Sequence, residues 1–292
     1  MELYLLRYFL AVVEAGTFTR AAAACLITQP TLSAGIKRLE DELGAALFVR
    51  SNRRVHLTAA GARFLPVAQA ILHEVNMASA EIAGTEAANV LRLGVLQTVP
   101  ARLVADLLRG FADAHPGVRF DLFDGDEQAL LNRLDERGLD MALSIRRVAD
   151  DDAAPLLTEG YRLVLPRGHR LAGQAVIAAE DLARDAMIVR SRCEALSETS
   201  RHFTDRNVRP PLAYRTAQDE RALVMVGAGV GVTVMPDSYD SPDVARAVLH
   251  GFTPTRTLAL FPPRYALSGR LLDAARAFTQ FARLFFKVDD LG

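Results

Sequence analysis

The stretch that decides the fold runs from Leu26 to Gly61, LITQPTLSAGIKRLEDELGAALFVRSNRRVHLTAAG. Leu32, Ile36, Leu39 and Leu43 recur at three- and four-residue spacing, which predicts a helix with one buried stripe. Pro30 stands in its first turn, where the N–H it lacks has no intrahelical partner, and the Thr28 hydroxyl can cap an unpaired amide there. The proline therefore starts this helix instead of breaking it, and Gly44 closes it. The runs ALFVR and RRVHLT then read as two short strands joined by SNR, a hairpin that carries Arg50, Arg53 and Arg54. Upstream, Leu3, Leu6, Phe9, Leu10 and Val13 predict a first helix ending at Gly16. Thr17 or Thr19 can cap an alanine-rich second helix that runs to Cys25. Three helices and a basic hairpin make a winged helix–turn–helix. Such a motif lays the N-terminal residues of its second motif helix against base edges in the major groove, and the wing arginines reach phosphate or the minor groove.

The run SAGIKRLEDELGAALFVRSNRRVHLTAAG, with Gln29–Pro30 ahead of it, resembles the N-terminal signature of the LysR-type transcriptional regulators. That signature comprises a Gln-Pro step, a Ser-x-x-Ile-x-x-Leu-Glu core, Leu-Phe-x-Arg and a closing Leu-Thr-x-x-Gly. The match is dense over the first 60 residues, and the rest of the chain fits the family in layout. The resemblance implies that Thr28, Gln29, Pro30, Thr31, Ser33 and Lys37 face DNA, and that Arg50, Arg53 and Arg54 serve the wing. Ala34 departs from the pattern, because many members carry a larger polar or basic residue there. That shifts the expected recognition towards phosphates and DNA shape. The implied partners are double-stranded promoter or operator DNA, a small-molecule effector and further copies of the chain, as a homodimer that can double to a homotetramer. RNA polymerase is a further candidate.

From Thr58 to about Gly84 no strand signal occurs. Phe64, Leu65, Ala68, Ile71, Leu72, Val75, Ala78 and Ile82 give one long helical stripe, with Pro66 as a possible kink. A helix of this length between two globular parts is expected to lay its stripe against a second chain. GTEAAN follows as a linker. Beyond residue 89 strands and helices alternate: strand VLRLGVLQ, helix 100–114, strand VRFDLFDG, helix 126–137, strand LDMALSI. A second set runs through YRLVLP, AMIVRS, a helix near 195–206, a strand near 212–217, helix 219–229 and VGVTVMP. TRTLALFPP and a last helix over 268–286 complete it. The expected fold class is α/β: a DNA-binding winged helix–turn–helix over 1–58, a linker and dimerisation helix over 59–88, and an effector-binding domain over 89–292. The last resembles the periplasmic-binding-protein-like sensor of the same family. Lobe I is expected to take about 89–160 and 265–292 and lobe II about 161–264, with the chain crossing near 159–163 and 262–267.

In open α/β sheets ligands sit beyond the carboxyl ends of strands. The candidate effector-binding residues are therefore Gln97, Thr98, Ser144, Ile145, Ser191, Arg192, Cys193 and Thr233. Their hydroxyls, the helix N-termini near Pro100 and Ala195, and Arg146, Arg190 and Arg192 favour a small anion, a carboxylate above all. Arg190 and Arg192 would also lower the thiol pKa of Cys193. This keeps two alternatives open, a thiol-based redox-sensing regulator and an enzyme with Cys193 as nucleophile. The enzyme reading lacks a positioned base and any triad or nucleophile elbow.

Half of the 292 residues are hydrophobic and 24% are charged, an ordinary globular balance, and a net charge of −1 names no partner by itself. No apolar run is long enough to span a bilayer, and the N-terminus, interrupted by Glu2 and Arg7, does not read as a signal peptide, so no membrane partner and a cytoplasmic site are expected. The two cysteines, Cys25 and Cys193, offer no disulfide framework. Six histidines without ligand spacing predict no metal, and no cofactor is expected. Gly227, Gly229 and Gly231 follow a helix and precede a strand, the reverse of a phosphate loop, and read as a helix cap and turn.

Overall fold

The computed structural model describes residues 1–50, 55–83, 89–147, 150, 152–267 and 269–289. The chain divides into two compact units. One is Met1–Asn89 with Asn132–Asp140 and Arg264–Ala266, and the other is Val90–Leu131, Met141–Pro263 and Leu267–Gly292.

The N-terminal unit begins with α1 (Leu3–Ala15), α2 (Phe18–Ala24) and α3 (Gln29–Leu43), followed by the wing strands β1 (Phe48–Arg50) and β2 (Val55–Leu57) and by α4 (Ala59–Ala83). Each boundary has a local cause. Thr17 caps α2 by accepting from the Arg20 N–H, and Gly16 and Gly44 end α1 and α3 at φ of 68° and 65°. There the left-handed region favours a residue without Cβ. The stripe of α3, Leu32, Ile36 and Leu39, is fully buried against Leu5, Leu6, Phe9 and Val12 of α1, whereas Leu43 is exposed. Gly35 lets α3 approach α1, since a Cβ there would lie 2.7 Å from the Tyr8 ring.

The signature residues also have structural tasks. Glu40 takes the backbone N–H groups of Leu47 and Phe48 on one carboxylate oxygen (2.7 and 3.2 Å), tying the helix to the wing. Thr58 donates to the Ala46 carbonyl at 2.6 Å and accepts from the Gly61 N–H at 3.0 Å. Gly61 lies so close to the Leu47 carbonyl that no Cβ fits between them. The expectation that the stripe of α4 needs a second chain is corrected for its first half. Ala68 and Leu72 are buried in the head core, with Phe64, Leu65 and Ile71 packed beside them. Val75 is half-buried, and the side chains of Ala78 and Ile82 lie outside the described residues.

The sensor unit follows with β3 (Asn89–Leu96), α5 (Ala101–Ala114), β4 (Val118–Gly125), α6 (Glu127–Asp135), β5 (Met141–Ile145) and β6 (Ala154–Glu159). Next come β7 (Tyr161–Pro166), β8 (Val176–Ile177), β9 (Met187–Arg190), α7 (Leu196–Asp205), β10 (Leu212–Thr216) and α8 (Asp219–Gly227). Then β11 (Thr233–Pro236), β12 (Val244–Leu249), β13 (Arg256–Phe261) and α9 (Gly269–Asp289) complete the chain. Lobe I holds a five-stranded sheet in the order β4-β3-β5-β13-β6. Lobe II holds a four-stranded sheet, β11-β7-β12-β8, and the parallel pair β10-β9. The first crossing falls at Gly160, between β6 and β7. The second differs from expectation: β13 pairs antiparallel with both β5 and β6, so the chain returns to lobe I between Leu249 and Arg256, not near 262–267. An apolar strand pattern alone cannot say which of two sheets a strand joins. Gly229, at φ 81°, makes the turn after α8, as the glycine spacing predicts. Among the described residues no helix is long and apolar enough to cross a membrane.

Gly61→Ala is expected to destabilise the protein by about 1–3 kcal/mol, because overpacking against the Leu47 carbonyl outweighs the better helix propensity of alanine. Urea unfolding followed by circular dichroism checks this; a variant more stable than the parent would show that the close approach does not constrain the fold.

Candidate functional site

The first turn of α3 projects from the head as a polar ridge. Thr28, Gln29, Pro30 and Thr31 are exposed, Ser33 is half-buried, and Lys37 is exposed further along the same helix. These side chains are already linked to each other. The Thr28 and Thr31 hydroxyls lie 2.8 Å apart, Thr28 Oγ1 accepts from the Thr31 N–H, and Gln29 Nε2 donates to Ser33 Oγ at 2.8 Å. Arg38, also on α3, is turned away from this role and anchors the helix through Glu42, Glu2 and Tyr4. Leu26, in the turn before α3, is 93% exposed at a φ of 56°, a position sequence periodicity did not single out. Arg53, Arg54 and the side chain of Arg50 lie outside the described residues; the antiparallel pairing of Phe48 with Leu57 joins the two wing strands.

The sensor positions are engaged differently from the sequence expectation. Thr98 is buried, and both its carbonyl and its hydroxyl accept from Arg256 Nη1 (3.0 and 3.2 Å). Ser191 donates to the Thr216 carbonyl, and Thr233 donates to the Ile188 carbonyl. Ile145 is buried in β5 and Gln97 is half-buried after β3. Ser144 is fully buried, and its hydroxyl has no hydrogen-bond partner among the described residues. The arginines expected to lend the cleft cationic character are engaged within the chain. Arg192 meets Asp126 of lobe I at 2.8 Å, Arg146 donates to the Asp150 carbonyl, and Arg190 is tied to Asp219 and to the Val234 carbonyl. The Glu220 carboxylate of lobe II already accepts from the first amide of α5, Ala101 N–H, at 3.0 Å.

The expected activation of Cys193 is also corrected. Burial pushes its thiol up and outweighs the opposing effect of Arg190, whose charge is turned towards Asp219. Cys193 lines a cavity within lobe II, between α7 and the strands β9 and β10.

Sequence reasoning missed the charged cluster at the crossings. Arg256, 2% exposed at the start of β13, pairs with Glu159 at the end of β6 (2.8 Å) and with Glu194 of lobe II (2.6 Å). Tyr161, the first residue of β7, donates its hydroxyl to Glu194, and Ser238 donates both N–H and Oγ to Glu159. Burial opposes ionisation of Glu194, but Arg256 beside it prevails and holds the carboxyl below its ordinary range. The available signal was a charge at the mouth of each apolar strand, Glu159 in APLLTE and Arg256 in RTLALF.

A carboxyl held below its ordinary value of 4.5 stabilises the folded state above that value, and the stabilisation is lost as pH falls through the lower folded value. Glu194→Gln is therefore expected to reduce unfolding free energy at neutral pH by about 1–3 kcal/mol. The difference should shrink below pH 4.5. Urea titrations across this range test it; a deficit constant with pH would place the effect outside this ion pair.

Residues 3–62 match the bacterial regulatory helix-turn-helix proteins of the lysR family, and residues 84–286 match the LysR substrate binding domain. The chain is 35% identical over 250 residues to a protein of Mycobacterium avium described as a probable hydrogen peroxide-inducible genes activator, covering 84% of this chain and 80% of that one. It superposes on full-length OxyR of Pseudomonas aeruginosa with a TM-score of 0.67 at 24% identity, over 97% of this chain and 95% of the other. It also superposes on full-length CbnR complexed with its target DNA, with a TM-score of 0.68 at 21% identity, over 97% of this chain and all of CbnR (100%).

Proposed function

Because the chain belongs to the LysR family of DNA-binding transcriptional regulators, whose members are not enzymes, we propose that it reads DNA through the first turn of α3 and through the wing, under control of a small ligand in its sensor. The observation that carries the first half is the ridge from Thr28 to Ser33. It is a row of hydroxyl and amide groups, exposed at Thr28, Gln29 and Thr31 and half-buried at Ser33, on a helix whose opposite face is locked into the head core by Leu32, Ile36 and Leu39. Ser33 and Gln29 supply base-edge contacts, and Arg50, Arg53 and Arg54 supply phosphate contacts. Two heads on a pseudo-palindromic site require a homo-oligomer, a dimer or a tetramer. With Ile71 committed to its own head, Val75 is the described stripe position left for the partner helix. Sedimentation of Val75→Glu should show dissociation, and an unchanged oligomer would move the contact elsewhere.

For the sensor, we propose a small anionic effector in the cleft between the lobes. What supports this is the Glu220 carboxylate at the N-terminus of α5, a geometry that already accepts an anion where amide groups and the helix dipole favour one. An incoming carboxylate would replace Glu220, and loosening the Glu220 contact would change the lobe angle and thereby the spacing of the heads. The relatives named for hydrogen peroxide raise the thiol-based alternative. Cys193 is the sensor's sole cysteine, so no disulfide can close within that part, and its thiol is pushed up by burial. The geometry therefore supports a bound ligand over a disulfide switch.

Ser33→Ala is expected to weaken specific DNA binding by about 1–3 kcal/mol while leaving non-specific binding intact. Arg53→Ala should weaken all sequences alike and lower the salt slope by about one. Footprinting and salt titration on an operator fragment separate the two; full protection by both variants would remove the DNA-reading assignment.

A further inference from the structure

Lobe II contains a cavity of about 670 Å³ between α7 and the β9–β10 pair, large enough for a small organic ligand. Its apolar walls come from Met187, Val189, Phe203 and Val208. Its polar groups are distributed unevenly. Glu194, whose side chain is 10% exposed, lies on the buried side, whereas Arg209 and Arg215 are exposed at the outside. One oxygen of Glu194 is held by Arg256 and Tyr161, but the other, Oε2, is buried without a hydrogen-bond partner among the described residues. A buried carboxylate oxygen left unpaired is costly, and a ligand donor placed against it would recover that cost. Arg209 and Arg215 have no ion pair among the described residues, so the outer end offers two unneutralised cations.

We propose that this cavity is a second ligand site, distinct from the inter-lobe cleft. Its ligand is a small amphipathic molecule with a hydroxyl or amino donor at the inner end, an apolar body of about one ring, and a carboxylate or similar anion at the outer end. The donor meets Glu194 Oε2, the body fills the walls, and the anion meets Arg209 and Arg215. Glu194 gives the site a route to the rest of the sensor, because its other oxygen belongs to the Arg256 cluster at the crossings. A donor on Oε2 competes for the same carboxylate charge and weakens its hold on Arg256 and Tyr161. Occupancy of lobe II thus reaches the junction between the lobes through one side chain. The site stands whether or not the cleft takes an anion, since no residue at Ala101 or Glu220 contributes to it.

The test is calorimetry on the full chain with three matched probes: 3-(4-hydroxyphenyl)propionate, 3-phenylpropionate, which lacks the donor, and methyl 3-(4-hydroxyphenyl)propionate, which lacks the charge. The first is expected to bind, and each of the others to bind about tenfold more weakly, the loss expected for one removed polar contact. Arg215→Ala, at an exposed position, should remove the preference for the acid over the ester. Ser200→Phe, which fills the cavity from the exposed face of α7, should abolish binding, whereas Glu220→Gln should leave it unchanged. Absence of heat with the first probe at millimolar concentration, or equal affinity in the parent and Ser200→Phe, would overturn the proposal. So would binding that disappears as the protein self-associates, which would assign the cavity to a second copy of the chain.

Discussion

Arg256 is the side chain through which the sensor holds its form. It sits where β13 begins, immediately after the second crossing, and its guanidinium reaches a carboxylate from each lobe and the carbonyl of Thr98. A buried guanidinium is costly unless paired, and here two carboxylates, a carbonyl and a hydroxyl surround it, while Nη2 forms an ion pair with Glu159 but no hydrogen bond among the described residues. Glu159, its partner in lobe I, is in turn held by Ser238 of lobe II. The two crossings are thus fastened to each other by charge, with the Tyr161 and Phe252 rings in edge contact beside it, and any relative movement of the lobes must re-form these bonds. Such a junction favours discrete arrangements over a continuum, because a half-made buried ion pair is worse than either end state.

This arrangement changes how the cleft is understood. Several of the cationic groups near the strand ends are answered by carboxylates from within the chain, Arg192 by Asp126, Arg190 by Asp219 and Arg256 by two glutamates, while Arg146 meets the Asp150 carbonyl. An anionic effector of the kind proposed would therefore compete with internal carboxylates, and its affinity would be a difference between two anions. A ligand held under those terms has to match geometry as well as charge.

The head was legible in sequence because its constraints are local. Pro30, Thr28, Gly16 and Gly44 act within one helical turn, and the Leu32–Ile36–Leu39 stripe follows from periodicity alone. The signature glycine and threonine could be recognised but not explained, since Gly61 matters through the Leu47 carbonyl fourteen residues earlier. The sensor was legible as alternating strands and helices, although Thr233, expected at the carboxyl end of a strand, stands at the start of β11. What could not be read was which partner each polar group takes. Thr98 and Arg256 are separated by 158 residues in sequence, and Cys193 lies beside Arg190 in the chain while the charge of that arginine points at Asp219. The destination of β13 was hidden for the same reason: its apolar run suits either sheet, and the register with β5 and β6 decides.

The hydrogen bonds within the ridge of α3 carry a kinetic consequence. Gln29 gives one amide N–H to Ser33 Oγ and keeps its second N–H and Oε1, as Ser33 keeps its O–H, so on the proposed reading a base edge would meet a side-chain pair already held in place. Part of the side-chain entropy that such a contact would cost is then already lost in the free head. On the proposed reading, a head preset in this way would test each site it passes without rearranging, held meanwhile by phosphate contacts.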